Sequence, residues 1–322
     1  VSTARQISMD AFPGDLDTEQ LRARVAWLYF VGGMTQQEIA NQLGITRLRV
    51  NKLIGQARAE GSVFIDIRLP LIECIELADS LKDRYGLEDA VVVPSVPDYL
   101  QQQRAIGEAA GLLLESLLPG RQGIGIGWGR TLSFSARRLG EKRLRTSWVV
   151  GLMGGVTHGS GVNTFEVSTA LAQVLGAECH YLTAPIYCPS PESRNALLTH
   201  ELDDVMRRAE EAEIALVSCG DLSDRSPVVP IKVVGESLEE LKALGSVGEV
   251  LGCFMDEDGC IVSHPVNYCI MALPPAKLRE KPVSILASGG MRKLKIIRAI
   301  LRGRYVNRLV TDEAVARSLL AD

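Results

Sequence analysis

The chain has 322 residues, of which 46% are hydrophobic, and 35 Lys and Arg stand against 39 Asp and Glu for a net charge of −4. That length predicts two domains, and the mildly acidic balance excludes a protein that coats nucleic acid over its whole surface while leaving room for one small DNA-binding module. Seven cysteines, an odd number without CxxC spacing and mostly in apolar surroundings, read as free thiols rather than disulfides or a zinc site.

Residues 1–18 are polar, short of core formers and broken by Pro13-Gly14. The start VSTARQISMD has no apolar run, and no stretch of the chain reaches 18 apolar residues, so neither a secretory leader nor a membrane span is expected and a cytoplasmic location is the expectation. Leu21, Val25, Leu28 and Tyr29 share one helical face. Thr35 with Glu38 forms a capping-box signal for a second helix running to about Leu43. Gly44 supplies a positive φ for a tight turn, and Thr46 caps a third helix running to about Glu60.

Ala40, Gly44 and the aliphatics Ile39, Leu43, Ile45, Val50 and Leu53 have the spacing of a DNA-binding helix-turn-helix. The segment Arg47–Arg58 holds four basic residues and no acidic one. Arg and Asn can read base edges and Lys can neutralise phosphate. The expected DNA-contacting residues are Thr35, Gln36, Thr46, Arg47, Leu48, Arg49, Asn51 and Lys52. Residues 1–66 are the expected DNA-binding domain. SVFIDIRL (62–69) alternates like a strand, either a wing or the lead into a linker. Residues 67–88 are expected as a linker with an amphipathic helix over Ile72–Tyr85, which would either dimerise or connect domains.

From about Asp89 to residue 322, Val- and Ile-rich runs alternate with helical ones, the pattern of an α/β domain with a mostly parallel sheet. In such a sheet a ligand lies outside the carboxyl ends of the strands. GIGIGWGRTL offers Gly125, Gly127 and Gly129 for close approach, Thr131 as a cap and Arg130 as a partner for an anion. It lacks the third glycine of a dinucleotide fingerprint, so no nicotinamide cofactor is expected; the alternative is a tight turn without ligand. Further candidates are the loop LMGGVTHGSGVN with His158 and the N-cap candidate Asn163, Asp221 after a strand, and ASGGMRKLK, where Gly289-Gly290 leads into a helix with Lys293 in its first turn. Asp256 could reach the same place, although DEDG also reads as a plain turn. No G-x-S-x-G, H-E-x-x-H or Walker pattern is present, and the four histidines lack ligand spacing, so no catalytic or metal residue is assigned.

The chain resembles the SorC family of bacterial sugar-responsive transcriptional regulators. The resemblance runs through LYFVGGMTQQEIANQLGITRLRVNKLIGQAR, GIGWGRTL, VGLMGGV with Asn163, TAPIYCPS, FMDEDG, ASGGMRKLKIIRAILRG and RLVTDEAVARSLL. It implies a helix-turn-helix joined to a Rossmann-like effector domain similar to sugar-phosphate isomerases and deaminases, without their chemistry. It implies operator DNA as partner, a sugar, polyol or phosphosugar effector, and a homotetramer or dimer of dimers. It places the effector on Gly127, Trp128, Gly129, Arg130, Thr131, Gly154, Gly155, Asn163, Asp221, Gly289, Gly290 and Lys293. Ser288 stands where the family commonly has a small apolar residue. An active sugar-phosphate isomerase or deaminase fused to a DNA module is the alternative, and a ligand-free oligomerisation scaffold a third reading.

Overall fold

The structure is a computed structural model and describes residues 18–63, 72–139, 148–156 and 163–321. Residues 1–17 of the expected polar arm over 1–18, most of the strand-like segment 62–69, and His158 lie outside the described residues. The chain divides into two compact units between residues 69 and 70.

The first unit holds three helices, α1 (Thr18–Phe30), α2 (Gln36–Leu43) and α3 (Arg47–Ala59). Its core is Leu21, Val25 and Leu28 from α1, Ile39 and Ala40 from α2, and Val50, Leu53 and Ile54 from α3. The Thr35 hydroxyl accepts from the Glu38 N–H while the Glu38 carboxylate accepts from the Thr35 N–H at 2.7 Å, so both ends of the capping box are made. Gly44 adopts φ 65°, a conformation that would strain a residue with a side chain, and the Thr46 hydroxyl accepts from the Arg49 N–H at 3.2 Å to start α3.

The second unit begins with α4 (Ile72–Tyr85), β1 (Asp89–Val93), α5 (Tyr99–Leu117), β2 (Gly123–Ile126), α6 (Arg130–Arg138), β3 (Trp148–Gly151), α7 (Thr164–Leu175) and β4 (Glu178–His180). It continues with α8 (Pro191–His200), α9 (Asp203–Glu211), β5 (Ile214–Val217), β6 (Cys219–Gly220), α10 (Lys232–Ala243), β7 (Gly248–Val250) and β8 (Cys253–Met255). It closes with α11 (Pro265–Tyr268), β9 (Val283–Ala287), α12 (Leu294–Arg302), β10 (Arg308–Asp312) and α13 (Glu313–Ala321).

Seven strands form one parallel sheet in the order β1-β10-β9-β5-β2-β3-β4. Side chains alternate across it. Ile214 and Leu216 of β5 face a core with Ile106, Leu114, Leu132 and Leu171, while Ala215 and Val217 face one with Leu81, Ile296, Ile300 and Leu319. Both faces are covered, which is why the strands read as continuous apolar runs.

Several elements depart from the sequence pattern. α4, expected within a linker, packs on β1 and α13 and buries Cys74, Ala78 and Leu81 in the sheet's core. GEVLGCFMD, within the stretch expected to form a mostly parallel sheet, is the hairpin β7–β8, part of a three-stranded antiparallel sheet with β6. Its two-residue turn places Leu251 and Gly252 at φ 52° and 79°, the positive values that fit the twist of paired strands. SRNALLTHELDDVMRRAEEA (193–212), helix-like throughout in sequence, is broken into α8 and α9 at Glu201-Leu202.

Candidate functional site

Strand order reverses between β2 and β5: the chain runs outward through β3 and β4 on one side and returns to β5 on the other. A crevice opens at the carboxyl ends of strands flanking such a switch. Here it is a cavity of about 420 Å³. β2 delivers Trp128, Gly129, Arg130 and Thr131; the segment after β5 delivers Ser218, Cys219, Gly220 and Asp221; Lys293 closes another side.

Gly129, at φ 110°, is the N-cap of α6 without any side-chain cap, so Thr131 is not the cap expected from sequence; it lies buried inside the first turn. The first intrahelical bond runs from the Ser133 N–H to the Gly129 carbonyl, 3.0 Å. The N–H groups ahead of it lack helical acceptors and, with the helix dipole and Arg130, make this an anion-favouring end of the cavity. Lys293 ends a short 3-10 turn, Met291–Lys293, and precedes α12 instead of sitting in that helix's first turn.

The opposite character is supplied by Glu249 and Asp221. Glu249 on β7 is only 2% exposed; burial pushes its carboxyl up to about 7, although the Gly252 N–H and nearby Lys293 pull it down. Asp221 is oriented by its own loop, accepting from the Ser223 N–H at 3.0 Å and the Ser223 hydroxyl at 2.6 Å. The Cys219 thiol donates to Ser288 Oγ at 3.2 Å, which gives this buried serine a partner, and burial raises that thiol to about 11.

The other expected residues stand elsewhere. Gly127 lies behind the wall, donating to the Leu216 carbonyl. Gly154 and Gly155 pack against the segment at Ala184-Pro185: a Cβ on Gly154 would lie 2.4 Å from the Ala184 carbonyl, and one on Gly155 2.4 Å from the Phe165 ring. Asn163 heads α7 and donates from Nδ2 to the Val156 carbonyl at 2.9 Å. Gly289 and Gly290 back the cavity against Asp312, whose Oδ2 accepts from the Gly290 N–H at 2.6 Å. Asp256 holds a turn, accepting from the Asp258 and Cys260 N–H groups at 3.0 and 2.8 Å, and does not line the cavity. Lining residues absent from the sequence expectation include Tyr99, Gln103, Arg225, Ser226, Glu249 and Arg292. Only Glu249 had a signal, a carboxylate inside an apolar strand.

In the first unit, Arg47, Leu48, Arg49, Asn51 and Lys52 are all exposed on α3, with Leu48 80% exposed. Gln36 reaches Asn51 across the turn, 3.4 Å from Nε2 to Oδ1. Arg58, by contrast, stacks its guanidinium on the Phe30 ring at 5.1 Å. α3 therefore presents three cations, an amide and a large apolar side chain on one side while Val50, Leu53 and Ile54 anchor the other, the arrangement of a helix that enters the major groove.

Residues 69–321 match the Sugar-bind family model, a sugar-binding domain, and residues 23–60 match region 4 of sigma-70. The chain belongs to the SorC family of sugar-binding transcriptional regulators. It is 31% identical over 307 residues to the erythritol catabolism regulatory protein EryD of Brucella abortus (strain 2308), covering 94% of this chain and 96% of that protein. It is 31% identical to the transcriptional regulator LsrR of Escherichia coli (strain K12), covering 95% and 96%. Full-length sorbitol operon regulator SorC from Klebsiella pneumoniae superposes with a TM-score of 0.73 at 29% identity, covering 94% of this chain and 98% of that one. As a SorC-family member the chain is a DNA-binding transcriptional regulator with a helix-turn-helix and a sugar-binding domain. Among the described residues no helix is long and apolar enough to cross a membrane.

Proposed function

We propose that this protein controls an operon for carbohydrate or polyol catabolism and that a small phosphorylated sugar or polyol sets its occupancy of operator DNA. The observation that carries the reading is the division of charge in the cavity. Arg130, Arg225, Arg292 and Lys293 outnumber Asp221 and Glu249, and the open N-terminus of α6 adds to the positive end. A phosphoryl group suits Arg130 and the α6 N–H groups; hydroxyls suit the acceptors Asp221 and Glu249. The names of EryD and SorC, which concern erythritol and sorbitol, support the same ligand class. Thr35, Gln36 and Thr46 at the helix starts, with Arg47, Leu48, Arg49, Asn51 and Lys52, would form the DNA surface. Paired recognition helices need half-sites about one DNA turn apart, so a homodimer or a homotetramer built from two dimers is the form that binds. The protein acts in the cytoplasm in this reading, without cofactor or metal.

The effector can switch the operator only by favouring one of two arrangements of that assembly. The test is Arg130→Ala in a gel-shift titration: operator binding should persist while its response to phosphorylated polyols is lost. A normal response in the variant would place the effector elsewhere.

One observation favours the second reading, an isomerase or deaminase. A buried carboxyl near neutrality beside a lysine is what a general base looks like. The regulators' names weigh against it, and we infer a site that binds without turnover. Assays on a panel of phosphosugars should show no product; turnover lost in Glu249→Gln would reverse that inference.

A further inference from the structure

The outward edge of α3 carries two residues for which the first unit itself gives no reason. Successive residues of a helix are about 100° apart. Val50, Leu53, Ile54 and Ala57 therefore fill the inner face of α3, and Leu48, Lys52, Gly55 and Ala59 fall along the line opposite. All four of the latter are exposed. Arg49 and Gln56 flank this line on one side and Asn51 on the other.

The first of the two is Leu48. At 80% it is the most exposed large hydrophobic side chain among the described residues. A single exposed leucine is ordinary on a protein surface. This one stands between Arg47 and Arg49, on a helix with four basic residues and no acidic one. The carboxylates at the neighbouring helix ends are engaged elsewhere: Glu38 accepts from the Thr35 N–H at 2.7 Å, and Glu60 pairs with Arg22 at 2.6 Å. Leu48 and the buried Leu53 give an apolar side to a hollow of about 390 Å³, whose other sides are Thr46, Arg49, Lys52 and Gln56. An apolar spot ringed by hydrogen-bond donors suits a base edge that carries a methyl group, and of the four bases only thymine presents one in the major groove.

The second is Gly55. It lies inside α3, without a left-handed φ. A Cβ there would meet no atom within 4 Å, so neither α1 nor α2 requires a glycine at this position. Glycine inside a helix weakens it relative to alanine. The helix carries that loss on the same line as Leu48 and Lys52, about two turns beyond Leu48. Close approach of a second molecule to the helix backbone accounts for it.

We propose that this line is the edge of α3 seated in the major groove, with Leu48 against the C5-methyl group of a thymine in each half-site and Gly55 leaving room for the duplex to reach the helix backbone. Lys52 lies between the two, and Arg49 and Asn51 on the flanks face polar groups of the bases and phosphates. The inference rests on the reading of α3 as the helix that contacts operator DNA, and it adds which chemical group that helix recognises.

The full-length protein first selects its sites from a pool of randomised duplexes. Each thymine of a selected site is then replaced singly by deoxyuridine, which removes the methyl group and leaves the pairing and hydrogen-bonding groups in place. Gel-shift titrations compare wild type, Leu48→Ala, Lys52→Ala and Gly55→Ala. One replacement in a half-site should weaken wild type about fourfold, the effect of one buried methyl group, and leave Leu48→Ala unaffected. Both proteins meet the same two duplexes, so a change of DNA shape cancels between them. Gly55→Ala should weaken binding about fivefold or more while slowing hydrogen exchange of the α3 amides about two- to fivefold, because the helix gains alanine's propensity and loses clearance. A role confined to the fold would move these two quantities together.

A uracil series that wild type and Leu48→Ala sense alike would overturn the proposal; with binding still weakened in Lys52→Ala, α3 would then contact DNA without reading a methyl group. Wild-type affinity in Gly55→Ala would overturn the seating of this edge. If Leu48→Ala binds DNA as wild type does but changes the mass by light scattering, the edge is a protein contact and the proposal fails. If no site is selected, or all three variants bind as wild type, the reading of α3 as the DNA-contacting helix fails with it.

Discussion

The Glu249 carboxylate accepts the backbone N–H of Gly252 at 2.7 Å, so a group on the wall of the cavity at the strand ends holds the turn of the hairpin it belongs to. The Gly252 carbonyl is held in turn by the Tyr187 hydroxyl, also at 2.7 Å. Between Glu249 and Gly252 in this turn stands Leu251, at φ 52°. Glu249 is thus coupled to a strained turn on one side and to Lys293 and Asp221 in the cavity on the other. A ligand that draws this carboxylate toward itself would loosen the turn, a route from effector to fold that uses only local bonds.

That carboxyl makes stability depend on pH in a specific direction. Its folded value, about 7, lies above the ordinary 4.5, so the folded protein holds an extra proton between those values. The stabilisation from the protonated form is fully present below about pH 4.5 and is lost as pH rises through 7. Glu249→Gln removes the titration. The stability of wild type relative to this variant should fall by about 3 kcal/mol across that window, measured by chemical denaturation at fixed ionic strength. A pH-independent difference would mean that Glu249 stays ionised throughout.

Gly289→Ala should damage the fold itself. An added Cβ would lie 2.3 Å from Asp312 Oδ2 and 2.5 Å from Ile106 Cδ1. Asp312 is buried and already accepts from the Ser95 hydroxyl and the N–H groups of Gly290 and Val315, so it has little freedom to withdraw. Overpacking of this kind costs about 1–3 kcal/mol. Thermal unfolding should shift down, and a variant as stable as wild type would show that the loop relaxes.

The sequence made the first unit readable almost residue by residue, because helix caps, a left-handed glycine and a 3.6-residue period are local signals. Thr35, Gly44 and Thr46 do in the structure what their types and spacing imply. The parallel sheet was legible as a class for the same reason. The cavity was legible only at strand ends: Trp128 to Thr131, Asp221 and Lys293 reach it. Tyr99, Arg225 and Arg292 reach it from loops and helix starts that only the strand order brings together, and no spacing along the chain encodes that. Glycines carry a second meaning. A Cβ added at Gly154, Gly155 or Gly289 would meet backbone or side chains, which is reason enough for a glycine at each of these positions. α4 looked like a linker because its amphipathic pattern shows that one face is buried but not against what.

Arginines on α3 should divide into two kinds. Arg47 and Arg49 are exposed at the start of the helix, where base edges are read, whereas Arg58 near its end is engaged with Phe30 at 5.1 Å. Arg47→Ala or Arg49→Ala should weaken operator binding by about 1–3 kcal/mol if the side chain makes a bidentate base contact, and relax preference at one base position. Arg58→Ala should leave operator preference unchanged and cost about 0.5–1 kcal/mol of helix-unit stability. Gel-shift on operator variants beside thermal unfolding separates the two, and equal losses of specificity at 49 and 58 would contradict the division.

Gly220→Ala probes the cavity without altering charge. Its Cβ would fall 2.3 Å from Glu249 Oε1 and 2.9 Å from Ser226 Oγ. The backbone of Gly220 is outside the left-handed region, so alanine meets no conformational penalty and the whole effect comes from crowding. Ser226 is buried and its hydroxyl has no partner among the described residues, so it can turn away, whereas Glu249 is held by the Gly252 N–H. Effector affinity should therefore drop about tenfold or more, about 1.4 kcal/mol, while operator binding in the absence of effector stays at the wild-type level. Titrating a phosphorylated polyol into the operator complex reads both quantities at once. An unchanged effector midpoint would show that the ligand does not use the Glu249 side of the cavity, and a loss of effector-free operator binding would show that the hairpin, not the ligand, governs the DNA-binding state.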